Sequence, residues 1–367
     1  MSSSLLRSRF VRLLMPLPLT FFCLVSHAQT LEQFSDHDGA QYVLFDAPNS
    51  INTQPVAINN HREVAGKFID QNNRSHGFLR ERRGNFILFD APNAGDTSVI
   101  CINDHGDVAG ILFDATQNNR VRGFIRRREG DFVVFDGPNS SQLSSIVGIN
   151  DRGVVTGSFL DTANSTTKSR GYIRQEDGNF IIFDPPNSGL TLVSAINDEG
   201  DVAGILIDIA LSPQKPRAFV RFAAGDVVVF DAPNASQTTV CSSGINKRGD
   251  VAGNFNDASE SGKVREYVRL RNGEFDVYDI PNATEGSGCV GINDRLEVAG
   301  QWSDATTTHG FVRERDGDLI LFDVPNAVPG DNATSVQAIN DAGDTTGNTT
   351  QPTPSGIKNR GFVRISP

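Results

Sequence analysis

The stretch HGFLRERRGNFILFDAPN, residues 76–93, returns along this chain with unchanged internal spacing as RGFIRRREGDFVVFDGPN, RGYIRQEDGNFIIFDPPN and HGFVRERDGDLILFDVPN. With the aspartate after the aromatic residue as marker, the copies fall at Asp46, Asp90, Asp136, Asp184, Asp231, Asp279 and Asp323, Tyr278 replacing the phenylalanine once. The intervals are 44, 46, 48, 47, 48 and 44 residues. An array of this period is built from units that bury their apolar surface only against their neighbours.

Each copy holds four short apolar runs, for example SVICIN, VAGILFD, GFIR and FVVFD, rich in β-branched and aromatic residues and bounded by Asn, Asp, Gly and Pro. Such runs read as strands and turns. Seven copies of four strands predict an all-β fold, a seven-bladed β-propeller of four-stranded blades. In the fourth run Phe86 and Leu88 alternate with Ile87 and Phe89, so both faces are apolar. A strand sandwiched between two sheets needs that pattern.

Two spans are fixed. From His76 to Asp90, and from its counterparts Arg122, Arg170, Arg217, Arg265 and His309 to the next marker, is always 14 residues. A glycine holds the same place in each (Gly84, Gly130, Gly178, Gly225, Gly273, Gly317), which reads as a hairpin of the third and fourth strands. The second span runs seven residues from Asn59 to Gly66, and likewise to Gly110, Gly157, Gly204, Gly253, Gly300 and Gly347, a hairpin of the first and second strands. Five of its turns carry glycine where the others have Arg62 and Leu296, and those two turns are expected to differ in shape. The array starts with a lone fourth-type strand, YVLFD, and ends with a lone third-type strand, RGFVR. The N-terminal strand is therefore expected to close the ring by pairing with the C-terminal first, second and third strands, which also protects the sheet edges.

The fixed hairpins point to one side of the disc. The connections on the other side vary in length and read NAGDTS, NSSQLSS or NASQTT, polar loops suited to hydrogen bonding, so any ligand is placed on this variable face. The same face carries a repeated charge row. Asp70, Asp114, Asp161, Asp208, Asp257 and Asp304 end the second strands; His76, Arg122, Arg170, Arg217, Arg265, His309 and Arg360 begin the third; the markers Asp90, Asp136, Asp184, Asp231, Asp279 and Asp323 end the fourth. Acid, base and acid then lie side by side, each cross-strand pair contributing roughly 0.2–1 kcal/mol. A feature in nearly every unit reads as blade-building, because one active site does not need seven copies. At His76 and His309 the flanking acids form a minimal ligand set for a divalent ion, but a smaller ion-pair partner is the preferred reading. No metal, cofactor or catalytic residue is assigned. Trp302 takes a strand position held elsewhere by phenylalanine and reads as core.

Composition sets the address. Arg7, Arg9 and Arg12 precede an apolar run, Leu13 to Val25, and then Ser26-His27-Ala28, so residues 1–28 read as an export signal. The bulky residues before Cys23 argue against lipidation. A short segment, 29–39, then precedes the array at 40–367. A secreted or periplasmic protein is expected, with no membrane span after signal removal. Losing three arginines takes the net charge from −11 to −14, which argues against nucleic acid as a partner. Three cysteines then remain, an odd number. Cys241 and Cys289 lie in adjacent repeats, each ten residues past a marker, and a disulfide between them is one pairing this placement allows.

The recurring pattern IND-x-G-x-VAG followed by His76-Gly77-Phe78, or with alanine by Arg217-Ala218-Phe219, resembles the HAF-type extracellular repeat family of bacteria, glycine mostly replacing that family's alanine. The resemblance spans residues 40–367 and implies a secreted, propeller-like repeat protein, with no catalytic residues to carry over. The leading expectation is a non-enzymatic module binding a polysaccharide or another envelope component through the variable face. The alternative is a polysaccharide hydrolase or lyase using acids such as Asp96, Glu285 or Asp331 at the central opening; the fold alone does not choose.

Overall fold

The computed structural model describes residues 32–35, 39–140, 143–162, 167–354 and 356–367; the expected export segment, with Cys23, lies outside the described residues. The chain is an all-β propeller. Five blades stand as separate four-stranded antiparallel sheets, spanning residues 94–135, 143–183, 188–230, 235–278 and 286–322. The expectation of seven four-stranded blades is thereby corrected to five. The other strands form one nine-stranded sheet: Glu32–Ser35, Gln41–Phe45, Asn52–Ile58, Val64–Ile69, Ser75–Arg80, Phe86–Phe89, Ser335–Ile339, Thr345–Thr353 and Gly356–Ile365.

The merger has a local cause. The C-terminal strand is the longest among the described residues, and Asn359, the residue before its base Arg360, makes a parallel bridge to Asn52 in the first repeat. On its other edge the N-terminal strand Gln41–Phe45 pairs antiparallel with Gly361–Ile365, and Glu32–Ser35 adds outside it. The chain ends are thus knitted into one sheet.

Within a blade the sequence explains the layering. The VAG of the second strand is buried throughout, as at Val202 and Ala203. Its glycine is required by space: a Cβ on Gly204 would lie 2.3 Å from the Leu192 carbonyl oxygen and 2.9 Å from the Phe219 ring. The third strand supplies that ring and ends in an arginine stacked on the fourth-strand aromatic of the preceding repeat. Arg80 lies over Phe45, Arg126 over Phe89, Arg174 over Phe135, Arg221 over Phe183, Arg269 over Phe230, Arg313 over Tyr278 and Arg364 over Phe322, at 4.6–5.3 Å. These desolvated cation–π contacts join each unit to the next. Sandwiching of the fourth strand is only partial: Leu88, Ile181 and Val228 are exposed, because radial sheets diverge towards the rim.

Arg62 and Leu296 keep the turn shape of the glycines they replace, against expectation. Their φ values, 61° and 67°, match the 70–87° of Gly106, Gly153, Gly200, Gly249 and Gly343, and the closing bond recurs, from Arg62 N to Asn59 O and from Leu296 N to Asn293 O. The strain is offset by contacts outside the turn. Arg62 pairs with Asp344 at 2.6 Å, and Leu296 packs on the apolar cluster around Trp302.

Cys241 and Cys289 form a disulfide with Cα atoms 5.5 Å apart, 48 residues apart in sequence. It spans adjacent blades where the first strand of the 235–278 blade is interrupted after Thr238. Reduction is expected to cost about 2–4 kcal/mol, read as a lower urea midpoint in reductant than in a Cys101→Ser control kept oxidised. Cys101 is free and buried, and burial pushes its thiol up to about 12.

Candidate functional face and central channel

The two sides of the disc are built differently. On the fixed side the third-to-fourth turns meet the first-to-second turns: Arg128 reaches Glu63 at 2.8 Å and Arg127 reaches Asp107 at 2.7 Å. There the asparagine opening each turn forms a closed ring. The Asn59 carboxamide donates to the Asn103 carbonyl, Asn103 to Asn150, Asn150 to Asn197, Asn197 to Asn246, Asn246 to Asn293, Asn293 to Asn340, and Asn340 back to Asn59, at 2.9–3.3 Å. Buried carboxamides satisfied on both ends hold neighbouring units in register.

The next residue of each turn makes a second, wider ring. The amides of Asn60, Asp104 and Asp151 donate to Asp104, Asp151 and Asp198, and those of Lys247, Asp294 and Asp341 to Asp294, Asp341 and Asn60. The chain of bonds lapses between Asp198 and Lys247, whose side chain cannot accept. Burial, aggravated by the neighbouring carboxylates, raises the pKa of Asp151 and Asp294. This carboxylate ring was not found from the sequence, although the residue after each IN was its signal.

On the variable side the charge row assembles as the spacing implies. Arg122 bridges Asp114 and Asp136 at 3.2 and 3.1 Å; Arg170 bridges Asp161 and Asp184 at 3.0 and 2.9 Å; Arg217 bridges Asp208 and Asp231 at 3.0 Å; Arg265 bridges Asp257 and Asp279 at 3.3 and 2.9 Å. Arg360 joins Asp46 across the seam at 3.0 Å. His76 sits 2.8 Å from Asp90 and 3.4 Å from Asp70, stacked on Phe68; His309 sits 2.7 Å from Asp323 and 3.4 Å from Asp304, stacked on Trp302. The amides of Arg74 and Thr306 lead in holding Asp70 and Asp304 down at about 2.

Sequence reasoning missed a second cation on most markers. The residue two before the row's base reaches the same carboxylate: Arg74 to Asp90, Arg120 to Asp136, Lys168 to Asp184, Lys215 to Asp231, Lys263 to Asp279 and Lys358 to Asp46, at 2.9–3.7 Å. The signal was a recurrent basic residue at that offset, replaced by Thr307 beside His309. Among the described residues every marker acid but Asp323, which meets only His309, is thus paired with two basic side chains in a bonded lattice.

Just beyond them the Pro-Asn step gives every repeat an exposed asparagine in left-handed backbone: Asn49, Asn93, Asn139, Asn187, Asn234, Asn282 and Asn326, with φ between 55° and 65°. Asparagine tolerates this conformation better than other side chains except glycine. Inward of that rim, a channel of about 610 Å³ runs along the axis, walled by the first strands. Each regular first strand carries a β-bulge, and the residues it leaves unpaired, Val56, Ile100, Val147, Ser194, Val290 and Gln337, all line the channel. Bulges re-aim side chains in this way. Asp96, Glu285 and Asp331 are not among the lining residues, which corrects their expected place at the central opening. Asp96 is held back by the Ser75 amide at 2.8 Å, and Glu285 borders a smaller cavity between blades.

No protein-family model matches the chain, and no curated protein does. Solved structures share the fold. A streptogramin B lyase superposes with a TM-score of 0.53 at 14% identity, covering 90% of this chain and 100% of its own. Virginiamycin B lyase from Staphylococcus aureus gives 0.56 at 14%, covering 89% and 99%, and a puromycin hydrolase gives 0.57 at 10%, covering 84% of this chain and 52% of its own. At such identities the likeness is one of β-propeller fold alone.

Proposed function

We propose that this chain is an exported, HAF-type repeat protein that binds a polyhydroxylated polymer, a polysaccharide of the envelope or the extracellular space, across its variable face. The observation that carries the reading is the ring of exposed rim asparagines. Their carboxamides form no hydrogen bond to the protein among the described residues, and each offers both donors and an acceptor. Repetition on the protein suits repetition in a polymer, where weak contacts at several blades add through effective concentration. All of the neighbouring marker acids but Asp323 are already bonded to lysine or arginine, which favours holding a polymer over cleaving it.

The test is retention of the purified protein on a panel of immobilised polysaccharides, with soluble fragments assayed in parallel. The expected result is retention without fragments. Replacing Asn93, Asn139 and Asn187 together by glycine, which keeps the left-handed turns, is expected to weaken retention at least tenfold, about 1.4 kcal/mol, with an unchanged melting temperature. Retention untouched by these changes, or fragments released from the polymer, would overturn the reading.

A further inference from the structure

The axial channel has a chemistry of its own, independent of the rim. Its wall is made largely of valine and isoleucine, with Ile100, Ile102, Ile196 and Ile339 half-exposed to it. Ser98, Ser194, Ser242, Ser243 and Gln337 interrupt this wall, but along the isoleucines water is poorly satisfied and an apolar chain gains by lying there. Among the described residues lining it the one charged group is Lys67, on the second strand of the first repeat. Among the described residues Lys67 forms no ion pair, although the chain is strongly acidic and the rim cations are bonded to carboxylates. Where Lys67 stands, the other repeats carry Ile111, Ser158, Ile205, Asn254, Gln301 and Asn348, so this cation is a departure from the repeat.

The two ends of the channel also differ. Lys67 pairs in register with Gln54, before the bulge, and so lies on the variable-face side. At the other end the first strands run into the asparagine ring and the wider ring of Asn60, Asp104, Asp151, Asp198, Lys247, Asp294 and Asp341, five acids against one lysine. An anion is repelled from that end and attracted to Lys67.

We infer that the channel binds a single-chain amphiphile with an anionic head, the head paired with the Lys67 ammonium and the alkyl chain lying along the isoleucine wall towards the fixed face. The volume falls within the range of small-molecule sites, roughly 300–1,000 Å³. The bulge in each regular first strand is what turns a side chain into this space.

The experiment is calorimetric titration of the full chain with dodecanoate, below its micellar concentration, compared with dodecyltrimethylammonium and dodecanol. Saturable one-to-one binding of dodecanoate is expected, with the cationic probe at least tenfold weaker. Lys67→Gln is expected to weaken dodecanoate about tenfold and to leave dodecanol unchanged. Ser194→Trp, which fills the channel at a bulge, should abolish binding of both; Val147→Phe serves the same purpose if that variant does not fold. Equal binding of the anionic and cationic probes, indifference to both channel-filling variants, or no binding of dodecanoate would each overturn the inference. Polymer retention is unaffected in Lys67→Gln if the rim acts separately, so failure here and failure of the rim reading are distinguishable.

Discussion

A chain lacking residues 1–46 is expected to give no stable folded monomer. The strand Gln41–Phe45 contributes Tyr42, Val43, Leu44 and Phe45, all buried, to the interface with the C-terminal strand and its neighbours. At about 1.5–3 kcal/mol per fully buried side chain, the loss is about 6–12 kcal/mol. That is comparable with the whole stability of an ordinary domain, about 5–15 kcal/mol. The deletion also removes Asp46 from Lys358 and Arg360, and Phe45 from beneath Arg80, while exposing the edge of Gly356–Ile365. Circular dichroism and size-exclusion chromatography provide the measurement. The expected outcome is loss of the cooperative melt or association through the open edge, with recovery on adding a synthetic peptide of residues 39–47. A monomer melting within a few degrees of the full chain would show that ring closure contributes little.

How far the sequence disclosed this depends on what repeats. The closing strand, the two hairpins and the acid-base-acid row occur at constant offsets, and constant offsets are visible without coordinates. The nine-stranded seam was not, because it turns on one backbone bridge, Asn359 to Asn52, with no side-chain signature. Nor were the bulges: Val56, Ile100 and Val147 look like any β-branched strand residue, and only the register shows them left out of the ladder. Arg62 and Leu296 were misread because local preference was weighed without the distant partners, Asp344 and the Trp302 cluster, that hold each turn in its shape. The second cations were legible, as a recurrent basic residue two positions before the row's base.

The other large effect is expected at Glu266, where the repeat is broken most sharply. Five repeats have glycine at this place, Gly77, Gly123, Gly171, Gly310 and Gly361, and a Cβ there would come within 2.4–2.5 Å of the fourth-strand phenylalanine ring. Glu266 instead lies between Asn254 and Tyr278 on the flanking strands, fully buried. Ser287 of the next blade donates to one carboxylate oxygen at 2.8 Å and the Cys289 amide also acts on the carboxylate; among the described residues the second oxygen and the Tyr278 hydroxyl lack a well-formed hydrogen bond. Burial pushes the Glu266 pKa from 4.5 up to about 7. The folded state therefore holds this proton more tightly than the unfolded chain. Stability from this group is greatest below pH 4.5, falls as pH rises from 4.5 to about 7, and is constant above. The full loss is about 3 kcal/mol. Glu266→Gln keeps the shape without the charge and is expected to be more stable than the native chain by about 3 kcal/mol at pH 8, with the advantage vanishing at pH 4. Urea unfolding of both proteins across that range measures it, the difference between them cancelling the titration of every other group. An advantage that does not change with pH would mean that Glu266 stays ionised in the fold, its second oxygen reached by water.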